Sequence, residues 1–476
     1  MTLDESKRVH TAVTWPENDP ATWRHVPTSS IPLDPARVAA LTAAEWQRFT
    51  TTTVESGIHN KRASDSLPLG VTSSFQHWDP YPLSIKAAKG AWLTDVDDRQ
   101  LLDLSMGFGA MLVGHLNSVV VAEVTRALEI GTLFVTPSPS ATEVAERFQR
   151  RFGLDLLRFT NSGTEATMYA VRTARAYTQR HGIVKIEGGY HGGYDALSVS
   201  VKPSIDEAGP ENAPVPVTPF EVEAGTVHVV PYNDLERLEQ ILSQHSSEIA
   251  AVVLEPVLEN IGIVVPDAGY LAGVRALCDQ YGVLLIFDEV KTGLTAGHGG
   301  ASQRLGVTPD LVALAKSIGG GLPLAVFGGK AEYMQAVVDN RMAHFGTYNG
   351  NPLVMAAALA VDEVCTEDAL AAAETLNENA MRAIDAVIVE HALPAHTVGF
   401  GVKGAVTWAD TPVRNYRDYK RTDFGIAELS WLWGVNRGIL TPPGLDEQWL
   451  VSLAHTSADM NLLVEEFAEL AAALRA

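Results

Sequence analysis

Between Val283 and Gly321 the chain reads VLLIFDEVKTGLTAGHGGASQRLGVTPDLVALAKSIGGG. One apolar run, Val283 to Phe287, ends in Asp288, and a second, Leu311 to Ala315, ends in Lys316. Short unbroken apolar runs bounded by turn residues are what a parallel strand covered on both faces requires, and in such sheets ligands gather at the carboxyl ends of the strands. The stretch therefore predicts two buried strands, one ending in an acid and the other in an amine. A buried amine can hold an aldehyde as a Schiff base, and a buried carboxylate can keep the nitrogen of a flat heterocycle protonated. Pyridoxal phosphate (PLP) chemistry needs that pair of groups.

The chain before and after supplies strands and helices in alternation. Leu156 to Thr160 reads as a strand running straight into Asn161-Ser162-Gly163-Thr164-Glu165-Ala166 and then a helix to Tyr177. Strand, small hydroxyl-rich turn and helix is the layout of a phosphate cradle, in which free backbone N–H groups and the positive end of the helix dipole meet an anion; it is also the layout of an ordinary N-cap. Ile183 to Glu187 is the next strand, followed by Gly188-Gly189-Tyr190-His191-Gly192-Gly193, whose glycines leave an aromatic ring free to stack on a planar cofactor. Lys202 to Thr226 is acidic and carries five prolines, which predicts a surface loop without regular structure. A helix near Leu235 to Ser243, a strand from Ile249 to Leu254 ending at Glu255-Pro256, and a helix from Tyr270 to Tyr281 lead into the opening stretch; Leu324 to Gly328 is a short strand beyond it. The alternation predicts an α/β core with a mostly parallel sheet flanked by helices.

The flanks differ. Residues 1–66 are Pro-punctuated and read as an arm with one helix, Asp34 to Thr50. Residues 67–115 hold short strands, a hairpin at Lys89-Gly90 and a Gly-rich end from Met106 to Gly114, and are expected to pack with a small domain. The large domain would span 116–366, and one of its helices opens on a Ser-x-x-Glu capping box at Ser140 and Glu143. Residues 367–476 read as a smaller α+β domain: a helix from Asp368 to His391, a Gly-containing strand pattern from Val398 to Thr407, a helix from Asp423 to Gly434 and a closing helix from Ala458 to Leu474. Arg414, Arg417, Lys420 and Arg421 read as a solvated helix face.

Composition narrows the class. At 476 residues the chain can bury a large core, and its net charge of −22 disfavours binding to nucleic acid phosphate or an anionic membrane. Only Cys278 and Cys365 are present, in no metal-ligand spacing, so neither a disulfide framework nor a metal site is expected and a reducing, cytoplasmic setting is the simplest. The first thirty residues lack the apolar core of a signal peptide, and no apolar stretch is long enough to span a bilayer.

Phosphate turn, aromatic ring, acid and lysine follow one another in a set order, and the strings NSGTEATMYAVRTAR, GGYHGGYD, EPVLENIG, LLIFDEVKTG, ALAKSIGGGLP, GTYNGNP and SLAHT carry it. From about Leu67 onward the chain resembles the class III aminotransferases of fold type I, and within them glutamate-1-semialdehyde aminomutase and its aminotransferase relatives. The resemblance implies PLP as cofactor, Lys316 as the Schiff-base lysine and proton carrier, and Asp288 as the partner of the pyridine nitrogen. It places Ser162, Gly163 and Thr164 on the phosphate, with Thr347 reaching the phosphate from a second subunit, so that a homodimer is expected with its site at the interface. Tyr190 and Val290 would cover the two ring faces, Asn260 would lie near the phenolic oxygen, and His191 and Glu255 complete the expected cofactor contacts.

The activity so implied is an aminotransferase that moves an amino group from a donor to a carbonyl acceptor by a ping-pong route; the alternative is an aminomutase or racemase of the same fold. One departure bears on substrate. Where the aminomutase-like enzymes carry an arginine for the substrate carboxylate, this chain has LPLGVTSSFQHW, with Gln76 at the matching position, and an amide cannot make the bidentate contact of a guanidinium. Glu447 matches the acid across from that arginine, and Phe108, His77 and Trp78 are candidates for the pocket wall. A nucleotide-binding oxidoreductase is disfavoured, because no G-x-G-x-x-G follows an early strand with an acid about twenty residues on.

Overall fold

The computed structural model describes residues 24–27, 29–218, 226–443 and 448–476. Its largest sheet has seven strands: β1 (Leu156–Thr160), β2 (Gly182–Ile186), β3 (Val227–Val230), β4 (Ile249–Leu254), β5 (Leu284–Glu289), β6 (Leu311–Leu314) and β7 (Ala325–Gly329), in the spatial order β1-β7-β6-β5-β4-β2-β3. The pairings are parallel except for the two made by β7, which runs antiparallel to both β6 and β1. The opening stretch thus forms two neighbouring strands, the first running on through Asp288 and Glu289.

Every residue of β4, β5 and β6 is buried. Because successive side chains point to opposite faces, the strands feed two separate apolar clusters. Val252, Leu254, Leu285, Phe287, Val312 and Leu314 join one. Ala251, Val253, Leu284, Ile286, Leu311 and Ala313 join the other, together with Ala166, Ala170 and Ala174 of the Gly163–Thr178 helix. This double covering is why the sequence shows unbroken apolar runs here and not an alternating pattern.

Two smaller sheets carry the flanks. Ile85–Lys89, Trp92–Asp95 and Gln100–Asp103 form an antiparallel meander with the expected turn at Gly90, and Ile439–Leu440 from the far end of the chain adds a parallel strand to its edge. Arg24–His25, His396–Phe400, Lys403–Thr407 and Trp449–Leu450 make an antiparallel sheet. The pattern expected as one strand from Val398 to Thr407 is a hairpin reversing at Gly401, whose φ of +60° suits a residue without a Cβ. The helix Pro35–Thr52, capped by Asp34, packs on Phe424–Asn436 through a cluster of Trp46, Phe49, Trp78 and Trp431.

Three local expectations are corrected. The Ser140–Glu143 capping box does not form: the helix starts at Pro139, Ser140 Oγ lies 3.0 Å from Ser138 Oγ, and Glu143 pairs with Arg147 at 2.7 Å. Proline has a preset φ and no N–H to leave unsatisfied, so it takes the first helical position and moves the cap to Ser138. The Lys202–Thr226 segment is not structureless, since Ile205–Ala208 is a helical turn capped by Ser204 and Pro216 bridges to Val199; residues 219–225 lie outside the described residues. Of the basic patch, Arg414, Lys420 and Arg421 are exposed as a solvated face requires, and only Arg417 departs from that expectation. Arg417 reaches the buried carboxylate of Glu187 with two hydrogen bonds of 3.1 Å, and Arg414 pairs with Asp267. Among the described residues, no helix is long and apolar enough to cross a membrane.

Candidate active site

A cavity of about 430 Å³ opens at the carboxyl ends of the central strands and the amino end of the Gly163–Thr178 helix. The register of the sheet gathers its charged groups. Ala313 of β6 lies beside Asp288 of β5, so Lys316, three residues further on, leaves the sheet at the same edge. Lys316 has φ of +52°, a left-handed conformation that costs a residue with a side chain roughly 1–2 kcal/mol. Strain held at such a position belongs to a site the surrounding structure over-determines.

Asp288 is almost wholly buried, with both carboxylate oxygens engaged. The Val290 N–H donates to Oδ1 at 2.9 Å, and His191 Nδ1 stands 2.8 Å from Oδ2. His191 is itself buried, and Thr167 Oγ1 donates to its carbonyl oxygen at 2.6 Å. The imidazole and the Val290 N–H therefore fix the acid, one at each carboxylate oxygen.

Glu255 has a similar bracing part. Its oxygens accept from the Tyr190 N–H at 3.2 Å, the Glu259 N–H at 3.0 Å and Asn260 Nδ2 at 2.8 Å. Burial pushes its carboxyl above the ordinary range, with the Asp288 charge adding to the effect. It lines the cavity, as the sequence reading expects of a cofactor contact, and it also orients Tyr190 and Asn260, which line the cavity beside it. Burial, and the charge of Asp288, likewise raise the Tyr190 phenol.

The turn after β1 has the geometry of an anion cradle. Ser162 caps the helix by accepting from the Glu165 N–H at 3.2 Å, and the first N–H groups of the helix, from Gly163 onward, have no partner within it. Two glycines make the cradle fit. A Cβ at Gly192, where φ is +88°, would stand 2.3 Å from Thr164 Oγ1, and one at Gly163 would stand 3.0 Å from Val290 Cγ1. The aromatic loop and Val290 can close on the cradle only because both positions lack side chains.

The remaining expectations divide. Phe108 lines the cavity, but Gln76 does not: it is exposed and its amide oxygen accepts from the Thr72 N–H and hydroxyl at 3.2 and 2.7 Å. Phe75 faces inward in its place, 5.6 Å edge-on from Tyr190 and 6.0 Å from Phe108. Ser74–Gln76 is a 3₁₀ turn, in which neighbouring side chains point about 120° apart, so with Phe75 directed inward Gln76 points away. Trp78 packs on Phe49 and Trp431 instead of the cavity wall, and His77 does not line the cavity either. Glu447 lies outside the described residues. Thr347 is on the exposed surface between Phe345 and Tyr348, not in this chain's cavity. Sequence reading also missed Lys291 and Leu322, which line the cavity, and Lys185 beneath it, whose ammonium donates to the carbonyls of Gly189, at 2.8 Å, and Val199.

An anion cradle at one end, a fixed carboxylate at the other, flat packing surfaces between them and a lysine at the rim fit the phosphate, ring nitrogen, ring faces and aldehyde of one compound. Sheet and site are those of a PLP-dependent enzyme of fold type I, and PLP is the cofactor. The family profile for aminotransferase class-III matches residues 74–393, and the chain belongs to that family. A glutamate-1-semialdehyde 2,1-aminomutase of Thermomicrobium roseum is 40% identical over 412 residues, 85% of this chain and 94% of that protein. A glutamate-1-semialdehyde-aminomutase from Pseudomonas aeruginosa in complex with PMP superposes with a TM-score of 0.86 at 29% identity, covering 93% of this chain and 100% of that one. An omega-transaminase from Sphaerobacter thermophilus gives a TM-score of 0.83 at 32% identity, covering 88% and 98%.

Proposed function

We propose that the chain is a PLP-dependent aminotransferase whose donor amine carries an apolar or aromatic substituent. The observation that carries this reading is the apolar lining of the cavity, Phe75, Phe108 and Leu322 beside the Tyr190 ring, with no arginine among the described lining residues. Such a wall favours an aryl or alkyl group and offers no bidentate partner to a distal carboxylate. A second reading is a glutamate-1-semialdehyde 2,1-aminomutase, and the names of the curated relatives support it more directly than they support the aminotransferase expected from sequence.

PLP, when bound, supplies an aldehyde and an electron-accepting ring. In this reading Ser162, Gly163 and Thr164 hold the phosphate, Tyr190 and Val290 cover the ring, and Asn260 serves the phenolic oxygen. Asp288, fixed by His191 and the Val290 N–H, holds the ring nitrogen's proton. Lys316 would hold the cofactor's aldehyde through Nζ and, once displaced from it by the incoming amine, its free amine would take and return the substrate proton. Thr347 serves the phosphate of a second copy in a homodimer; the apolar side chains exposed near it in sequence, Phe345 at 84% and Tyr348 at 63%, support a buried position for that loop in the assembly. A reducing cytoplasm suits the two buried free thiols.

The test is to give the purified holoenzyme glutamate-1-semialdehyde alone, and separately arylalkyl amines or β-amino acids with a keto-acid acceptor. Amino transfer that needs the acceptor, with no conversion of the semialdehyde alone, is expected. Acceptor-free conversion of the semialdehyde would replace the first reading with the second.

A further inference from the structure

Beneath the cavity floor lies an ion pair that none of the site roles above uses. Lys403, on the hairpin of the antiparallel flank sheet, is 1% exposed, and Glu259, in the loop after β4, is fully buried. Their Nζ and Oε2 atoms are 2.6 Å apart. The same ammonium donates to the Lys291 carbonyl at 3.1 Å, just past Asp288 and Val290. It also runs under the Met106–Gly109 turn that presents Phe108: a Cβ on Gly109 would touch Lys403 Cε and Nζ at 3.6 Å. One side chain thus meets three segments that line the cavity.

The pair is held from behind. Asn377 Nδ2 donates to the Lys403 carbonyl at 2.8 Å, and Trp449 Nε1 donates to Asn377 Oδ1 at 2.7 Å. Lys291 Nζ and Gln448 Nε2 both donate to the Glu259 carbonyl, at 2.5 and 2.6 Å. Forward of it, the Glu259 N–H donates to Glu255, the acid that orients Asn260 and the Tyr190 N–H.

Burying two charges is expensive, and two well-packed apolar side chains of similar volume are often as stable or more so. A pair kept at the meeting point of three cavity segments therefore calls for a reason other than stability. We propose that Lys403 and Glu259 are positioning residues for the cofactor: the ion pair locks the 255–260 loop, and through Glu255 the Asn260 amide and the Tyr190 ring, to the C-terminal part of the chain. The proposal concerns cofactor placement and holds whichever amino substrate the enzyme takes.

The double variant Lys403→Met/Glu259→Leu removes both charges without leaving either one buried alone. Thermal unfolding of its apoenzyme should fall within a few degrees of wild type. Its PLP dissociation constant, from quenching of apoenzyme fluorescence, should rise at least tenfold, and the visible absorbance maximum of the bound cofactor and its pH titration should shift. Lys403→Arg, which can keep the pair, should recover most of the cofactor affinity. Wild-type cofactor affinity and an unchanged absorbance titration in the double variant would reduce the pair to core filling and overturn the proposal. So would equal cofactor loss in Lys403→Arg and the double variant when both apoenzymes melt like wild type.

Discussion

The two walls of the cavity are built differently. The wall that faces the cofactor is made of strand ends and a helix start, and its acids are bonded before any ligand arrives: Asp288 by His191 and the Val290 N–H, Glu255 by three donors. The wall proposed to face the substrate draws Phe75 and Phe108 from residues 68–76 and 106–110, on either side of the meander, where 3₁₀ turns and left-handed residues replace regular structure; Leu69 and Phe108 have φ of +60° and +56°, and Phe75 stays 49% exposed. A ladder fixes side chains to within the tolerance chemistry demands, whereas a turn held by a few local bonds can change its side chains without disturbing the sheet. On the proposed reading, reaction type is stored in the first wall and substrate choice in the second.

The largest test of that division is Lys316→Ala. It should lower amino transfer by about 10³-fold or more and abolish borohydride fixation of the cofactor, while the apoenzyme keeps its fold. A variant that still attaches cofactor after reduction would remove Lys316 from its role. Next is Phe75→Ala on the other wall. Here kcat/KM for aryl-substituted amines should drop about tenfold to a hundredfold, with small aliphatic amines and PLP affinity little changed. If both substrate classes fell together, the two walls would not be separable.

The smallest effect concerns Lys185, which braces the aromatic loop from below through Gly189 and Val199. Burial lowers its ammonium to about 7, the charges of Glu255 and Glu187 opposing. The unfolded chain therefore holds this proton more tightly than the folded one. The cost of the buried charge is full below pH 7 and is relieved as pH rises through 7 toward the ordinary lysine range near ~10.4. Relative to Lys185→Met, the wild type should gain about 1 kcal/mol of unfolding free energy between pH 7 and 8, measured by denaturant titration at both values. A difference that stays flat across that interval would mean the amine is not titrating there.

What could be read from the sequence follows the same line between the walls. Asp288 and Lys316 are legible because a strand covered on both faces writes itself as an apolar run, and the first polar residue after that run lies within two residues of the strand's end. The cradle at Ser162 to Thr164 is legible because a strand, a turn and a helix start are contiguous. Phe75 is not, because nothing local says which of the three residues of the Ser74–Gln76 turn faces in. Nor is the Arg417–Glu187 pair, whose members are far apart in the chain: a charge on a helix looks solvated until the fold brings a buried acid to it. The bracing part of Glu255 stayed hidden for a related reason, since its three donors come from two loops that meet only after folding.

Strand β7 contributes no side chain to the cavity, yet its first two residues pair with Thr160 and Leu314, the last residues of the strands that lead to the phosphate cradle and to Lys316. A single short antiparallel strand therefore acts as the ruler for the site. A slip of one residue would displace its two neighbours relative to each other by about 3.4 Å and turn every side chain of β7 to the wrong core. The span from cradle to lysine is metered by hydrogen bonds in the sheet, which leaves the loops between those strands free to diverge without losing the reach that one cofactor requires.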